Sequence, residues 1–497
     1  MSNPVILLIV LLLALALTVG AAAMRRERTG HVALAGTVLV FAGLLATRRP
    51  AVAGSSDSFP WAWAIAEANW WPSLAFVLLA LTALLTLLRQ HARRSEVVPV
   101  LLLFAAALAA AWADSPAALV TTWVILGAGM ALVTRREPDS LGPARYGIFW
   151  LAPLLLWLAA AASPAAGDAV AMDARVRQAG TEGIWLLAAI VAIGAFPFQF
   201  WHRQPSARHS ALNTLLLAAP ALAGAVLLAT FAGGAGTARY ALPATLAGLL
   251  GLLWAAYEAW RQRRSAVSVA ASLLLAEASL LVLLAVWGDQ AAILAETRVL
   301  LLAGGAFVLA AGTVEDGTWQ RLALVPAFAA LAAFPATAGF AGRGMLYTAW
   351  LDSGNGILVA VAVLLQVPML AAGLTLVWPR TWPPGPVKIG SLLLLLPALG
   401  LLSWQAMGEV AALAWGTIAL QLVGALLLFR FATEAEELEQ ALQQALAPKL
   451  EIARALAAVQ RGGRAIADAV RDAAGILEGG GGLLWVLFFL IVIWLAR

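Results

Sequence analysis

The chain has 497 residues, 63% of them hydrophobic and only 11% charged. So few charges cannot cover a water-facing globule, which excludes a soluble fold and with it a soluble enzyme. Cysteine is absent and there are four His, which excludes disulfides, thiolate metal sites and cysteine-held iron–sulfur clusters and argues against a dense metal or haem centre. The net charge of +5 comes mostly from Arg in short stretches between apolar runs, a pattern of membrane topology rather than nucleic-acid binding.

Apolar runs able to cross about 30 Å of hydrocarbon recur along almost the whole chain. Sixteen spans are predicted, at about 4–24, 31–47, 70–88, 97–113, 117–134, 146–162, 184–201, 213–232, 241–260, 267–287, 292–313, 322–340, 355–378, 388–405, 409–430 and 480–496. Residues 341–351 continue the twelfth span after a break. The first run has no positive charge before it and Arg25, Arg26 and Arg28 directly after it. That order reads as a retained first helix with its N-terminus outside, not as a cleaved signal. Up to residue 388 the odd-numbered connections carry seventeen Lys and Arg, against five (Arg48, Arg49, Arg175, Arg177 and Arg239) in the even-numbered ones. The positive-inside rule then puts odd connections in the cytoplasm and both termini outside it, in a bacterial-type inner membrane. Trp70 with Trp71, and Trp378 with Trp382, read as interfacial lipid anchors.

Residues 431–479 depart from this pattern. They are strongly charged, yet Leu438, Leu442, Leu446, Leu450, Leu456, Val459, Ile466 and Val470 fall roughly on one helical face. They read as a cytoplasmic amphipathic lateral helix lying along the membrane or along neighbouring helices, with a soluble coiled-coil arm as the alternative. Pro448 and the Gly462–Gly463 pair would interrupt it.

Two spans contain Phe-Pro inside an apolar run: AIGAFPFQFWH with Pro197, and LAAFPATAGFAGRG with Pro335 followed by Gly339. Proline removes a helical hydrogen bond, so both spans are expected to break. They lie five spans apart, and an odd interval gives two five-helix units opposite orientation. The expected fold is all-α and polytopic, with inverted repeats of the kind that place ion sites at broken helices. Its parts are N-terminal helices (1–96), a first unit (97–232), a second inverted unit (241–378), two further spans (388–430), the lateral helix (431–479) and a final span (480–497).

On these features the chain resembles the antiporter-like, proton-conducting membrane subunits of respiratory complex I, Mrp antiporters and membrane-bound hydrogenases. It is most similar to the distal type, which carries a lateral helix before its last span. FPFQFWHRQP resembles the family's P-F-H-x-W-L-P, and PATAGFAGRGML its P-x-x-A-G-F-F-S-K-D-E-I-L. DSPAALVTTWVILG and RVLLLAGGAF resemble the patterns of spans 5 and 11. The resemblance implies a span 5 Glu and a row of buried Lys or His that pass protons. Here those positions carry Val124, Ala192 and, in span 8, a residue near Leu222. The Lys positions of spans 11 and 12 carry Arg298 and Arg343. Arginine stays protonated, so it serves as a fixed charge and not as a proton carrier. The two are able to form an electrostatic barrier, pair with a carboxylate or hold an anion.

Glu277 lies deep in span 10, where a lone carboxylate is costly. It reads either as an ion-path or partner-contacting group or as half of a structural pair with an Arg. Glu296 and Arg298, two apart, point to different sides of a helix and are not expected to bridge locally. Asp289 reads as a surface loop residue, Glu258 as an end-of-helix charge, and His202 and His209 as polar residues of the turn after span 7. No P-loop, nucleophile–base pair or metal-ligand cluster occurs, so no cofactor and no catalytic centre are expected. The expected function is a divergent antiporter-like subunit of a multi-subunit ion-translocating complex, structural or only partly proton-conducting, with other membrane subunits and lipid as partners. A dedicated transporter, such as a component of inorganic-carbon uptake, and a structural subunit of another bioenergetic complex are the alternatives.

Overall fold

The computed structural model describes residues 4–23, 29–47, 63–89, 94–134, 142–162, 181–199, 210–232, 237–311, 318–335, 337–377 and 412–431. The predicted span at 388–405, the lateral helix at 431–479 and the final span fall outside the described residues, as do Trp378, Trp382, His202 and His209.

Fifteen helices account for nearly all described residues. The first eight are α1 (Pro4–Ala23), α2 (Thr29–Ala46), α3 (Glu67–Arg89), α4 (Arg94–Ala111), α5 (Pro116–Thr134), α6 (Gly142–Ala162), α7 (Glu182–Ile193) and α8 (Ser210–Phe231). They are followed by α9 (Thr237–Arg261), α10 (Ala266–Trp287), α11 (Gln290–Ala311), α12 (Thr318–Leu331), α13 (Ala338–Asp352), α14 (Gly356–Val377) and α15 (Ala412–Arg430). Among the described residues, seven of these are long and apolar enough to cross a membrane unaided, and six more are shorter apolar helices. Each predicted span within the described residues coincides with one helix, or with two where a break falls.

The core is at α11, buried along its whole apolar length and surrounded by α3, α8, α10, α12 and α13. Helices α8 and α10 are nearly as enclosed. Outer helices turn large apolar residues outward instead. On α9, Leu242, Leu246, Leu250, Leu253 and Tyr257 form an exposed stripe at helical spacing. The opposite face of α9 is small: Gly248 and Gly251 sit against Leu283 and Ser279 of α10, where a Cβ would collide. An apolar outside over a small-residue seam is how helices pack when their solvent is lipid.

In residues 97–232, α4 packs on α5, α5 on α6, α6 on α7 and α7 on α8, and α8 closes back on α4. In residues 241–377, α9 packs on α10, α10 on α11, α11 on α12 and α13, and both of these on α14, which closes back on α9.

Both Phe-Pro spans break, and in the same manner. Helix α7 stops at Ile193; Gly194 is left-handed (φ 69°), and the Ala195 N–H donates to Ile190 O at 3.2 Å. Helix α12 stops at Leu331; Ala333 is left-handed (φ 54°), and the Phe334 N–H donates to Ala329 O at 2.8 Å. These are Schellman ends, with proline just beyond to forbid continuation. The helix resumes at Ala338, three residues before the predicted continuation at 341, with the Thr337 hydroxyl accepting from Phe340 N–H at 3.3 Å.

One local expectation needs correction. Trp70 is not a lipid anchor: it is buried, and its indole N–H donates to Leu44 O at 3.0 Å. Asp289 is an exposed loop residue as expected, and it also caps α11, accepting from Ala292 N–H at 2.7 Å.

Candidate functional site: a buried charge cluster

Glu277 on α10, Glu296 on α11 and Arg343 on α13 meet in the core with their side chains wholly enclosed. The Arg343 Nη2 group pairs with Glu277 Oε1, and Nε donates to Glu296 Oε1 at 3.2 Å. Its Nη1 group donates to Gln366 Oε1 of α14 at 3.1 Å and to the carbonyl of Leu331. That carbonyl belongs to the last turn of α12, which the break has deprived of a helical partner. The helix interruption therefore creates an acceptor, and the guanidinium fills it.

Polar contacts continue outward. Gln366 Nε2 donates to the Tyr347 hydroxyl at 2.8 Å, Tyr347 donates to Gln421 Oε1 at 3.2 Å, and Gln421 Nε2 returns to Gln366 Oε1 at 3.1 Å. All three residues are buried, and Gln421 carries the chain to α15, whose other side is exposed and apolar. Isolated polar residues in apolar surroundings are costly unless satisfied, and these satisfy one another.

Glycines make the approach possible. A Cβ at Gly339 would collide with Ala330 O, so the resumed helix passes directly over the end of α12. A Cβ at Gly342 would collide with Glu296 Oε2, so Glu296 rests against bare backbone one residue before Arg343. Pro335, four residues after Leu331, has no N–H to offer its carbonyl and lies in the break before α13.

Arg298 is not part of the pairing around Arg343. Its guanidinium lies over the Trp71 ring of α3, 5.2 Å from the centroid. Directly after it, Val299–Gly304 form a π-helical stretch inside the otherwise α-helical core helix, an irregularity often found at functional sites. Of the two readings of Glu277, a pair with an Arg is present, and the partner is Arg343. Glu296 reaches Arg343, forty-seven positions away, rather than serving as a surface charge. Sequence reasoning gave Glu296 no partner beyond excluding a local bridge to Arg298, and left out Gln366, Tyr347 and Gln421. A signal existed for the glutamines: each stands alone in an apolar run, VAVLLQVPML and GTIALQLVGA.

Among the described residues, the first half has no such cluster. Every buried Asp, Glu, Lys or Arg among the described residues lies at residue 258 or beyond. Val124 faces outward on α5, and the buried neighbour is Trp123, so a carboxylate at 124 would not point into the bundle. Ala192 and Leu222 are buried. Helix α8 closes on α7 at this point: a Cβ at Gly224 would come within 2.8 Å of Ala192 Cβ and 3.0 Å of Ala189 O. A long cationic side chain at 192 has no room. Pro197 follows the end of α7 in the turn after Gly194.

Solved structures share this architecture. A chain of the Mrp complex from Dietzia sp. DQ12-45-1b superposes with a TM-score of 0.68 at 17% identity, over 97% of this chain and 62% of that one. The two chains share one fold. A chain of the membrane-bound sulfane sulfur reductase, an archaeal respiratory membrane complex, matches with a TM-score of 0.65 at 14% identity over 85% and 97% of the two chains. One from respiratory complex I of Thermus thermophilus matches with a TM-score of 0.62 at 17% identity over 85% and 98%. The protein thus spans about three-fifths of the Mrp chain and almost the full length of the other two. No protein-family model and no curated protein matches its sequence. The apolar helices and the fold shared with chains of membrane complexes together make it a multi-pass membrane protein.

Proposed function

We propose that the chain is a divergent antiporter-like subunit of a multi-subunit ion-translocating membrane complex. In this reading the first half is scaffold, and ion chemistry is confined to the second half. The observation that carries it is the contrast between the two breaks. Beside Pro197 the proton-relay position Ala192 is packed shut by Gly224, while beyond Pro335 Arg343 holds two buried carboxylates. The closed rings of α4–α8 and α9–α14 support two five-helix units of opposite orientation. The Arg distribution supports an inner membrane with both termini outside the cytoplasm. Partners are other membrane subunits, braced in part by the lateral helix at 431–479, with lipid on the remaining outer faces.

Purification in mild detergent followed by mass spectrometry tests the assignment. Co-purifying membrane subunits of an oxidoreductase or antiporter complex are the expected result; a chain that runs alone overturns it. In proteoliposomes of the purified assembly, Glu277→Gln is expected to abolish the share of proton flux that this subunit carries. Flux that survives Glu277→Gln and falls on substitutions around Ala192 would reverse the roles of the two halves.

A further inference from the structure

We infer that Glu277 and Glu296 together hold one exchangeable proton beneath the fixed charge of Arg343. This deepens the proposed function, resting on it for the proton's route but not for the site itself. One guanidinium faces two carboxylates, so with both ionised the cluster has one negative charge in excess, inside a core that water does not reach. The oxygens settle where the compensating charge sits. Oε1 of each carboxylate is bound by Arg343, whereas Oε2 of Glu277 and Oε2 of Glu296 are buried with no donor. The two carboxyl groups meet at the same guanidinium, one on its Nη2 and the other on its Nε.

The donors of the cluster itself are engaged. Arg343 is engaged through Nε and both terminal nitrogens. Gln366 Nε2 is given to Tyr347, and the Tyr347 hydroxyl to Gln421. Arg298, two residues along α11 from Glu296, lies over Trp71. A single proton on one Oε2, donated to the other, satisfies both orphan oxygens and makes the cluster neutral. A divalent cation would want about six oxygens, and among the described residues no third acidic or imidazole side chain joins the pair. The chain thereby regains a titratable group where the inherited lysine position has become arginine. Arg343 sets the field, and the carboxyl pair carries the proton.

The test is infrared difference spectroscopy of the full chain in detergent at neutral pH. Wild type should show a protonated-carboxyl C=O band that shifts in D2O. Glu277→Gln and Glu296→Gln should each abolish it, because either leaves one carboxylate balanced by one guanidinium. Loss of the band in only one variant would mean an ordinary buried acid and would overturn the sharing. Absence of the band in wild type, or sodium-dependent thermal stabilisation that both variants remove, would overturn the proton. Should the Gln variants fail to fold, Glu277→Asp and Glu296→Asp keep a carboxyl and should each displace the same band; displacement by only one refutes the pair. Failure of the chain to co-purify with partners would leave the band unaffected, so the two readings fall separately.

Discussion

Arg343→Met is the sharpest perturbation of the cluster. Methionine is unbranched and fills a long cavity well, so the change removes charge and donors more than volume. Lost with it are the pairs to Glu277 and Glu296, the bond to Gln366 and the bond to Leu331 O. Removing one partner of a buried ion pair costs about 3–5 kcal/mol, because the other charge stays buried. Here the carboxyl pair is left with one uncompensated negative charge, and the Leu331 carbonyl adds an unsatisfied acceptor worth about 1–3 kcal/mol. Strong destabilisation is therefore expected. It can be read by denaturant unfolding in detergent, followed through the intrinsic fluorescence of the 21 Trp residues. Adding Glu277→Leu and Glu296→Leu to the same chain should recover most of the loss, since a well-packed apolar replacement of a buried ionic triad is often neutral. The reasoning fails if Arg343→Met stays within the roughly ±0.5 kcal/mol of a surface substitution. It fails equally if the triple variant is no more stable than the single one.

Other expectations follow from particular contacts. Gly342→Ala should cost about 1–3 kcal/mol in the same unfolding assay, because its methyl would displace Glu296. Gly416→Ala, with nothing within 4 Å of the new Cβ on α15, should be neutral or stabilising by up to about 1 kcal/mol. Ala333→Gly should stabilise by up to about 1 kcal/mol, since a left-handed φ of 54° strains an L-residue and suits glycine. Ala192→Lys, which places there the residue type that the sequence resemblance implies, should reduce the yield of folded protein in fluorescence-detected size exclusion without creating proton flux. The Gly224 backbone occupies the space, and no buried acid among the described residues waits there.

The sequence by itself determined where the chain crosses and where it breaks. An apolar run of about twenty residues must close its backbone hydrogen bonds within itself once water is gone, and a proline inside such a run must interrupt them. Both rules are local, so AIGAFP and LAAFPA could be read without neighbours. That position 192 carries Ala and position 343 Arg were local facts too. What only the tertiary structure decided was who meets whom. Glu277 needed a partner, but spacing along α10 could not select Arg343, sixty-six residues away, over Arg298. That choice depends on α13 crossing the end of α12 at Gly339, which brings one guanidinium to two acids and an abandoned carbonyl. Facing was equally invisible in a helix apolar on every side. Val124 turns outward and Trp70 inward, because in lipid the hydrophobicity of a residue no longer tells inside from outside.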